Sequence, residues 1–193
     1  MNVAAILLAA GSATRFGSDK LLYPLPHGVP IAIQAARHLR IVFEENVLAV
    51  VRPEAKELSD LLRREGCQVA VCENAAEGMG ASLACAVRAA ADAEGFVIAL
   101  ADMPFIRSST IAAVRDALAA GAPLVAPYFR ARRGHPLGIG AKFRTELEAL
   151  RGDEGAKRII AANQTSLLKI PVGDPGVLRD IDTPLDLVPP AVV

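Results

Sequence analysis

Short apolar runs alternate along the chain with Ala- and Leu-rich segments of helical length. The runs are continuously hydrophobic, which is typical of strands covered on both faces of a parallel sheet. The expected strands are Ala4–Leu8, Val47–Val51, Gln68–Val71, Phe96–Leu100 and Leu124–Ala126. The expected helices are Ile31–Val42, Glu54–Arg64, Gly80–Ala91, Ser109–Ala119, Lys142–Leu150 and Ala156–Ala162.

This order of elements predicts an α/β fold with a mostly parallel sheet. Right-handed crossovers place helices on both faces of the sheet, which makes a Rossmann-like three-layer sandwich. The segment Pro127–Gly140 is rich in Arg and Gly, and we expect it to form a lobe or hairpin before a short apolar run at Leu137–Ile139. We expect one domain over residues 1–188 and a tail at 189–193.

Composition narrows the function classes. The 193 residues are 52% hydrophobic, and 21 basic residues balance 21 acidic ones. A chain without net charge lacks the field that holds nucleic acid or an anionic membrane. The longest apolar stretch, Val3–Ala10, is too short to span a bilayer, and no basic residue precedes Arg15 as in a secretion signal. We therefore expect a cytoplasmic protein without a nucleic-acid or membrane partner.

Ligands of open α/β sheets bind at the carboxyl ends of the strands, so the residues after each strand are informative. The first strand is followed by a loop of small residues that contains Gly11, Arg15, Gly17 and Lys20. Small residues let backbone N–H groups approach phosphate oxygens, and the two cations would neutralise a triphosphate. The glycine spacing fits neither the Walker nor the dinucleotide motif. A plain turn with two solvated cations is an equally good interpretation of this loop.

Carboxylates stand at two further places of interest. Asp102 directly follows the apolar fourth strand, where one carboxylate beside a triphosphate would suffice for Mg²⁺. Its alternative role is to cap the following helix. Asp180 and Asp182 precede a short helical segment, and by themselves they are more typical of an N-cap than of metal ligands.

Other polar segments leave their roles open. Glu73-Asn74 and Gly78–Ser82 follow the third strand and would either contact a nucleobase or have no ligand. His135 lies beside a group of arginines that favours a solvated surface. Residues 152–157 would either hold a phosphate at a helix start or simply begin a helix.

Six segments of the chain, taken in order, are similar to the motifs of one enzyme family. They are LAAGSATRFGSDKLL, ENAAEGMGASLACAV, ALADMPFI, GHPLGIG, GDEGAKRII and DIDTPLDL. Together they resemble the MobA-like nucleotidyltransferases, especially the molybdenum cofactor cytidylyltransferase branch. The resemblance implies a fold of the nucleotide-diphospho-sugar transferase type, with Mg²⁺ and a nucleoside triphosphate. It also implies transfer of the nucleotide to a phosphorylated acceptor with release of pyrophosphate.

The resemblance assigns site residues by position. The phosphate-binding loop falls on Ala10, Gly11, Ser12, Arg15 and Lys20. The base-contacting segment falls on Asn74, Gly80 and Ser82. The metal ligands fall on Asp102 and Asp182, with Asp180 as the alternative to Asp182, and the acceptor-binding residues are His135 and Lys157. The catalytic residues implied are Lys20, Arg15 and Asp102.

Three features bear on substrate identity. Ala10 gives the form LAAG, which resembles the cytidylyl branch, whereas LAGG marks the guanylyl branch. Lys157 stands where the family often has Arg, which gives up a bidentate phosphate contact. His27-Gly28 lengthens the usual loop. The two departures leave acceptor identity more open than the nucleotidyl chemistry.

The function expected from the resemblance is transfer of CMP from CTP to the terminal phosphate of a molybdopterin-type cofactor. A molybdoenzyme or its maturation factor is a further partner that this function allows. One alternative is a guanylyl- or cytidylyltransferase that acts on another phosphorylated acceptor. Another is a non-catalytic protein that binds and delivers the molybdenum cofactor. A reductase is disfavoured, because the glycines of the dinucleotide motif are missing.

Overall fold

A mixed sheet lies at the centre of the fold. The computed structural model describes residues 1–11, 20–153 and 155–187, so the tail predicted at 189–193 lies outside the described residues. The strands of the described residues are β1 (Val3–Leu8), β2 (Val47–Val51), β3 (Gln68–Val71), β4 (Gly95–Leu100), β5 (Leu124–Phe129), β6 (Arg132–Arg133), β7 (Leu137–Gly140) and β8 (Leu167–Pro171). Their order in the sheet is β3-β2-β1-β4-β7-β5-β6, with β8 also paired to β5.

The sheet is mostly parallel, with a reversal at β7. Strands β3, β2, β1 and β4 are parallel to one another, whereas β7 is antiparallel to both β4 and β5. The expected hairpin is the antiparallel pair of β5 and β6, whose turn contains Arg130 and Ala131 at positive φ. Strand β8 was not predicted, because its residues are largely exposed and lack the continuous apolar run of the inner strands.

Helices cover both faces of the sheet. They are α1 (Ile31–Phe43), α2 (Lys56–Arg64), α3 (Met79–Ala89), α4 (Ser108–Ala119), α5 (Arg144–Glu148) and α6 (Lys157–Ala162). The expected helix Lys142–Leu150 is shorter than predicted, since a 3₁₀ turn at Ala141–Phe143 replaces its first residues.

Residues that alternate along a strand point to opposite faces, and this divides the core in two. In β1, Ala5 and Leu7 pack with the face covered by α1, α2 and α4, whereas Ile6 packs with the face covered by α3, α5 and α6. The predicted three-layer sandwich is therefore confirmed. No helix within residues 1–11, 20–153 and 155–187 combines the length and hydropathy that a bilayer crossing requires.

The carboxyl ends of β1 and β4 lie side by side. Leu8 is the register partner of Leu100, and the Ala101 N–H donates to the Leu8 carbonyl at 3.0 Å. The segment after β1 and the segment after β4 therefore leave the sheet at the same edge, which brings residues 9–11 close to Asp102.

Candidate active site

An ion-pair cluster stands at this edge of the sheet. The Lys20 Nζ lies 3.0 Å from Asp102 Oδ2 and 3.0 Å from Asp182 Oδ1. The Lys20 side chain is only 12% exposed, compared with 25% for Asp102 and 55% for Asp182. The fold thus brings together one cation and two carboxylates from three distant segments, and all three had been predicted as site residues.

The C-terminal segment is held in place by Ile181. Its side chain is fully buried against Leu25 and Ile31, and its N–H donates to the Asp102 carbonyl at 2.9 Å. The anchored residue directly precedes Asp182. This packing therefore places the Asp182 carboxylate beside Asp102.

In the 3₁₀ turn Pro184–Leu187, the carboxylate of Asp186, and not that of Asp182, accepts the hydrogen bonds of the residues that lead into the turn. Its Oδ2 accepts hydrogen bonds from the N–H and the hydroxyl of Thr183, both at 2.8 Å. The Asp182 carboxylate instead bonds Lys20. The alternative interpretation of Asp182 as a helix cap is thus not the arrangement in the structure, and its role as a metal ligand remains a prediction.

The charges of the cluster stabilise one another. Burial alone would lower the pKa of Lys20, but the charge of Asp102 and hydrogen bonds to Asp102 and Asp182 raise this pKa above its ordinary value. Partial desolvation raises the pKa of Asp180, and the negative charges of Asp182 and Asp102 act in the same direction. The cluster therefore holds Lys20 charged and presents excess negative charge around it.

The donor set fits a hard divalent cation. Asp102 Oδ1 is buried and has no hydrogen-bond partner among the described residues. A buried carboxylate oxygen without a partner is costly unless a cation or donor satisfies it. Mg²⁺ takes one or two carboxylates together with phosphate and water oxygens, so Asp102 and Asp182 are suitable ligands for it.

A cavity of about 430 Å³ opens beside the cluster. The predicted site residues that line it are Ala10, Gly11, Lys20, Ser82 and Asp102. Met79 and Asp153 also line it, and they come from the two segments, Gly78–Ser82 and 152–157, whose roles the sequence left open. Ser12 and Arg15, predicted for the phosphate loop, lie outside the described residues.

Two predicted base contacts, Asn74 and Gly80, do not line this cavity. Gly80 is buried, its N–H donates to the Gly152 carbonyl at 2.6 Å, and a Cβ on it would lie 2.7 Å from the Arg151 carbonyl oxygen. The glycine is therefore needed for the close approach of α3 to the 151–153 loop. The Asn74 amide contacts Glu77 at 3.3 Å, and its role in base recognition remains a prediction.

A second cavity, of about 510 Å³, adjoins the first. The two cavities share the lining residues Leu8, Met79, Leu100 and Asp153. The ionisable residues that line only the second are Arg132, Arg133, His135, Lys157 and Asp180. Both predicted acceptor residues are thus in one cavity. Arg132 and Arg133 had been interpreted as solvated surface, because sequence alone does not show which way a hairpin faces.

His135 is held against the wall of the second cavity. Its N–H donates to the Val177 carbonyl at 2.9 Å, and a Cβ on the preceding Gly134 would clash with that same carbonyl. The ring Nδ1 is buried without a hydrogen-bond partner among the described residues. Burial, with the positive charge of Arg133 as a smaller cause, lowers the pKa of His135 to about 4. The imidazole is therefore neutral at neutral pH.

Comparison with known proteins places the chain in a family. The family model of the MobA-like NTP transferase domain matches residues 5–167. The chain belongs to this family. This MobA-like protein is accordingly a nucleotidyltransferase, as the motif resemblance implied. The comparison with curated proteins found no match.

Solved structures share the fold over almost the whole chain. Rv0371c from Mycobacterium tuberculosis H37Rv has a TM-score of 0.84 and 24% identity, over 96% of this chain and 94% of that chain. The complex of Rv0371c with manganese has a TM-score of 0.79 and 23% identity, over 96% of this chain and 96% of that chain. Molybdopterin-guanine dinucleotide biosynthesis protein A from Archaeoglobus fulgidus has a TM-score of 0.68 and 19% identity, over 95% of this chain and 94% of that chain. CMP:2-keto-3-deoxy-manno-octonic acid synthetase complexed with CTP has a TM-score of 0.73 and 12% identity, over 97% of this chain and 95% of that chain.

The lowered pKa of His135 predicts acid sensitivity of this MobA-like fold. At a pH between the ordinary histidine pKa of 6.5 and the lowered pKa of about 4, His135 is protonated in the unfolded chain but stays neutral in the folded protein. The free energy of unfolding should therefore fall as the pH falls through this range, by up to about 3 kcal/mol from this group. Urea unfolding at pH 7 and pH 4.5 should show a smaller pH effect in His135→Gln than in the wild type. An equal effect in both proteins would contradict the assignment to His135.

Proposed function

We propose that this MobA-like transferase moves CMP from CTP to the terminal phosphate of a molybdopterin-type cofactor and releases pyrophosphate. The observation that carries the proposal is the position of the Lys20–Asp102–Asp182 cluster beside two adjoining cavities. One cavity contains the cluster's cation and Asp102, and the other is lined by three basic side chains. Two phosphate-bearing substrates would meet at the wall that the cavities share.

The nucleotide is assigned to the first cavity. Lys20 offers a cation there, and Gly11 lets a phosphate approach because no atom of the described residues lies within 4 Å of the position of its missing Cβ. Asp102 and Asp182 would hold Mg²⁺ between protein and triphosphate, where the ion would neutralise charge on the phosphates and on the leaving pyrophosphate. The manganese complex of Rv0371c and the CTP complex of the synthetase support this choice of ligands for the fold.

The acceptor is assigned to the second cavity. Arg132, Arg133 and Lys157 supply positive charge for a phosphate group, and arginine also matches phosphate with paired N–H donors. His135, which is neutral at neutral pH, lines the same cavity without adding to its charge. A phosphorylated acceptor with further polar atoms, as in a pterin, suits this lining.

The proposed reaction requires no covalent intermediate with the protein. An acceptor phosphate oxygen attacks the α-phosphorus in line, a new P–O bond forms, and the bond from the α-phosphorus to the α,β-bridging oxygen breaks with its electron pair leaving on pyrophosphate. The acceptor is already anionic, so no base is required. Lys20 lowers the barrier by charge neutralisation, and the two cavities lower it by positioning.

Ala10 is proposed to favour cytosine over guanine. It lines the first cavity, where its methyl group narrows the space for a larger base. One methyl group is worth about 1–3 kcal/mol of discrimination, so kcat/KM for CTP should exceed that for GTP by roughly tenfold or more. Ala10→Gly should narrow this ratio in an assay of pyrophosphate release. Ala9→Gly removes a methyl group that packs on the opposite face of the sheet and does not line this cavity, and it should leave the ratio unchanged.

The same assay, run over a panel of acceptors, tests the proposed function. Pyrophosphate release from CTP should depend on a molybdopterin-type phosphate. A wild-type enzyme that uses GTP better than CTP would exclude the cytidylyl assignment. Turnover only with a sugar phosphate or a polyol phosphate would show that the acceptor is not a molybdopterin-type cofactor. Stoichiometric binding of the cofactor without any pyrophosphate release would instead identify a delivery protein.

A further inference from the structure

We propose that, in the nucleotide-free protein, the Lys20 ammonium occupies the place of the divalent cation, and that it excludes free metal until the nucleotide phosphates draw it away. The inference rests on the proposed function in one respect, namely that a nucleoside triphosphate is the substrate. It assigns Lys20 a second role, as an internal counter-ion that sets the order in which metal and nucleotide enter the site.

The geometry of the cluster is the first step. Lys20 Nζ is 3.0 Å from an oxygen of each proposed metal ligand, Asp102 and Asp182, so it is bonded to both carboxylates at once. A metal ion that took these same two oxygens would face the ammonium across them. Two cations at such short range repel strongly, and most of all where the lysine is only 12% exposed.

The second step is what the carboxylates would do without Lys20. Asp102 would keep a buried and unpaired Oδ1 and would also lose the partner of its Oδ2. Asp102 and Asp182 are both bonded to the one ammonium, so their carboxylates lie close together. Two neighbouring carboxylates without a cation repel one another, so removal of the ammonium leaves a site that favours binding of another positive ion.

The third step is the release of Lys20 by the nucleotide. Lys20 lines the first cavity together with Ala10 and Gly11, so its ammonium is already at the wall of the space assigned to the triphosphate. A lysine is a point charge on a flexible four-carbon stem, and it can move from one anion to another without loss of charge. A triphosphate that attracts Lys20 frees both aspartates at the moment when its metal ion arrives.

The experiment measures Mn²⁺ binding to the nucleotide-free protein from the electron paramagnetic resonance signal of the free ion. Lys20→Met removes the ammonium and keeps the apolar stem. This variant should bind Mn²⁺ about tenfold or more tightly than the wild type, the effect expected for loss of two partly buried ion pairs that compete with the metal. Lys20→Gln serves as a second neutral variant if Lys20→Met does not fold.

Two controls separate displacement from a general change in charge. Lys157→Met removes the same unit of charge from the adjoining cavity, where Lys157 forms no ion pair with either aspartate. Its Mn²⁺ affinity should stay within about twofold of the wild type, since a cation that contacts neither carboxylate acts on them far more weakly than Lys20 does at 3.0 Å. Combining Lys20→Met with Asp102→Asn should remove the gain, because the site of binding is then lost.

A further arm tests release by the nucleotide. With the protein saturated by a CTP analogue that has a methylene group between the α- and β-phosphates, and with the Mn²⁺ held by free analogue measured separately and subtracted, the advantage of Lys20→Met over the wild type should disappear, because Lys20 then lies on phosphate in the wild type. Equal Mn²⁺ affinity of nucleotide-free wild type and Lys20→Met would overturn the inference, as would an equal gain in Lys157→Met. An advantage that persists with the analogue would overturn release by the nucleotide.

The outcome of the nucleotide-free measurements is independent of the proposed function. The nucleotide-free measurements contain neither CTP nor an acceptor, so they report on Lys20 whatever the enzyme transfers. Absence of pyrophosphate release from CTP would refute the proposed function and leave the Mn²⁺ result standing. Conversely, equal Mn²⁺ affinities together with normal CTP turnover would refute only the counter-ion role.

Discussion

Replacing Lys20 with alanine should lower kcat by about 10²–10³-fold, the usual cost of losing one preorganised charge that acts on the transition state. The Lys20 ammonium lies at the wall of the first cavity, to which the nucleotide is assigned, and the side chain is only 12% exposed, so its charge is weakly screened. Steady-state pyrophosphate release at saturating CTP and Mg²⁺ measures the effect. The variant should combine slow turnover with tighter binding of free Mn²⁺, and a purely structural defect would not produce this pair of changes.

Lys142→Ala is the matched control for Lys20→Ala. Lys142 is exposed in the turn after β7, where its ammonium lies 4.8 Å from the centre of the Phe143 ring and outside the lining of both cavities. Its turnover should match that of the wild type. If Lys20→Ala retained turnover within twofold of the wild type, Lys20 would not be a catalytic residue.

Asp102 and Asp182 should behave as two ligands of one ion, with unequal effects. Asp102→Asn should reduce activity by about 10³-fold or more, because this carboxylate is fixed at the end of a buried strand and has no substitute there. Asp182→Asn should chiefly raise the Mg²⁺ concentration needed for half-maximal rate. The amide oxygen remains a neutral ligand, and Asp182 is the more exposed of the pair.

The double variant gives the decisive result for this pair. Residues that act through one ion are not additive, so the double variant should be little worse than Asp102→Asn alone. Mg²⁺ titrations of both single variants and the double variant, with thermal unfolding as a check on folding, measure the coupling. Asp116→Asn, an exposed acid on α4, should leave the titration unchanged. Independent, additive losses would show that Asp182 does not share the ion.

Individual residues show which site positions could be predicted from the sequence motifs and which could not. Asp102 was predicted from its place after an apolar strand, and the structure puts it in the cluster. Gly80 was predicted as a base contact, but it is buried under the Gly152 carbonyl, and a glycine that permits close packing looks the same in sequence as one that admits a ligand. Arg132 and Arg133 lack any local signal that distinguishes a cavity lining from a solvated surface.

The histidines illustrate the same limit. His38 lies on α1, where its Nε2 is 2.8 Å from the Gln34 amide nitrogen, and the amide oxygen of Gln34 lies 3.1 Å from His27 Nε2. Residues four apart on a helix are neighbours, so the Gln34–His38 contact could have been found from spacing. Burial lowers the pKa of His38. This burial could not have been predicted from the spacing, since it depends on what α1 packs against.

The sequence by itself determined the kinds and order of most of the elements, and it indicated the family. Strands buried on both faces must be continuously apolar, so β1, β2 and β4 were evident without a structure, and six ordered motifs indicated a MobA-like transferase. Strand direction was decided only by the tertiary structure, because a run that is apolar on both faces reads the same way in either direction, as in β7. The cluster was likewise decided by folding. Lys20 and Asp182 are 162 residues apart, and they meet because buried Ile181 carries the C-terminal segment across the strand ends.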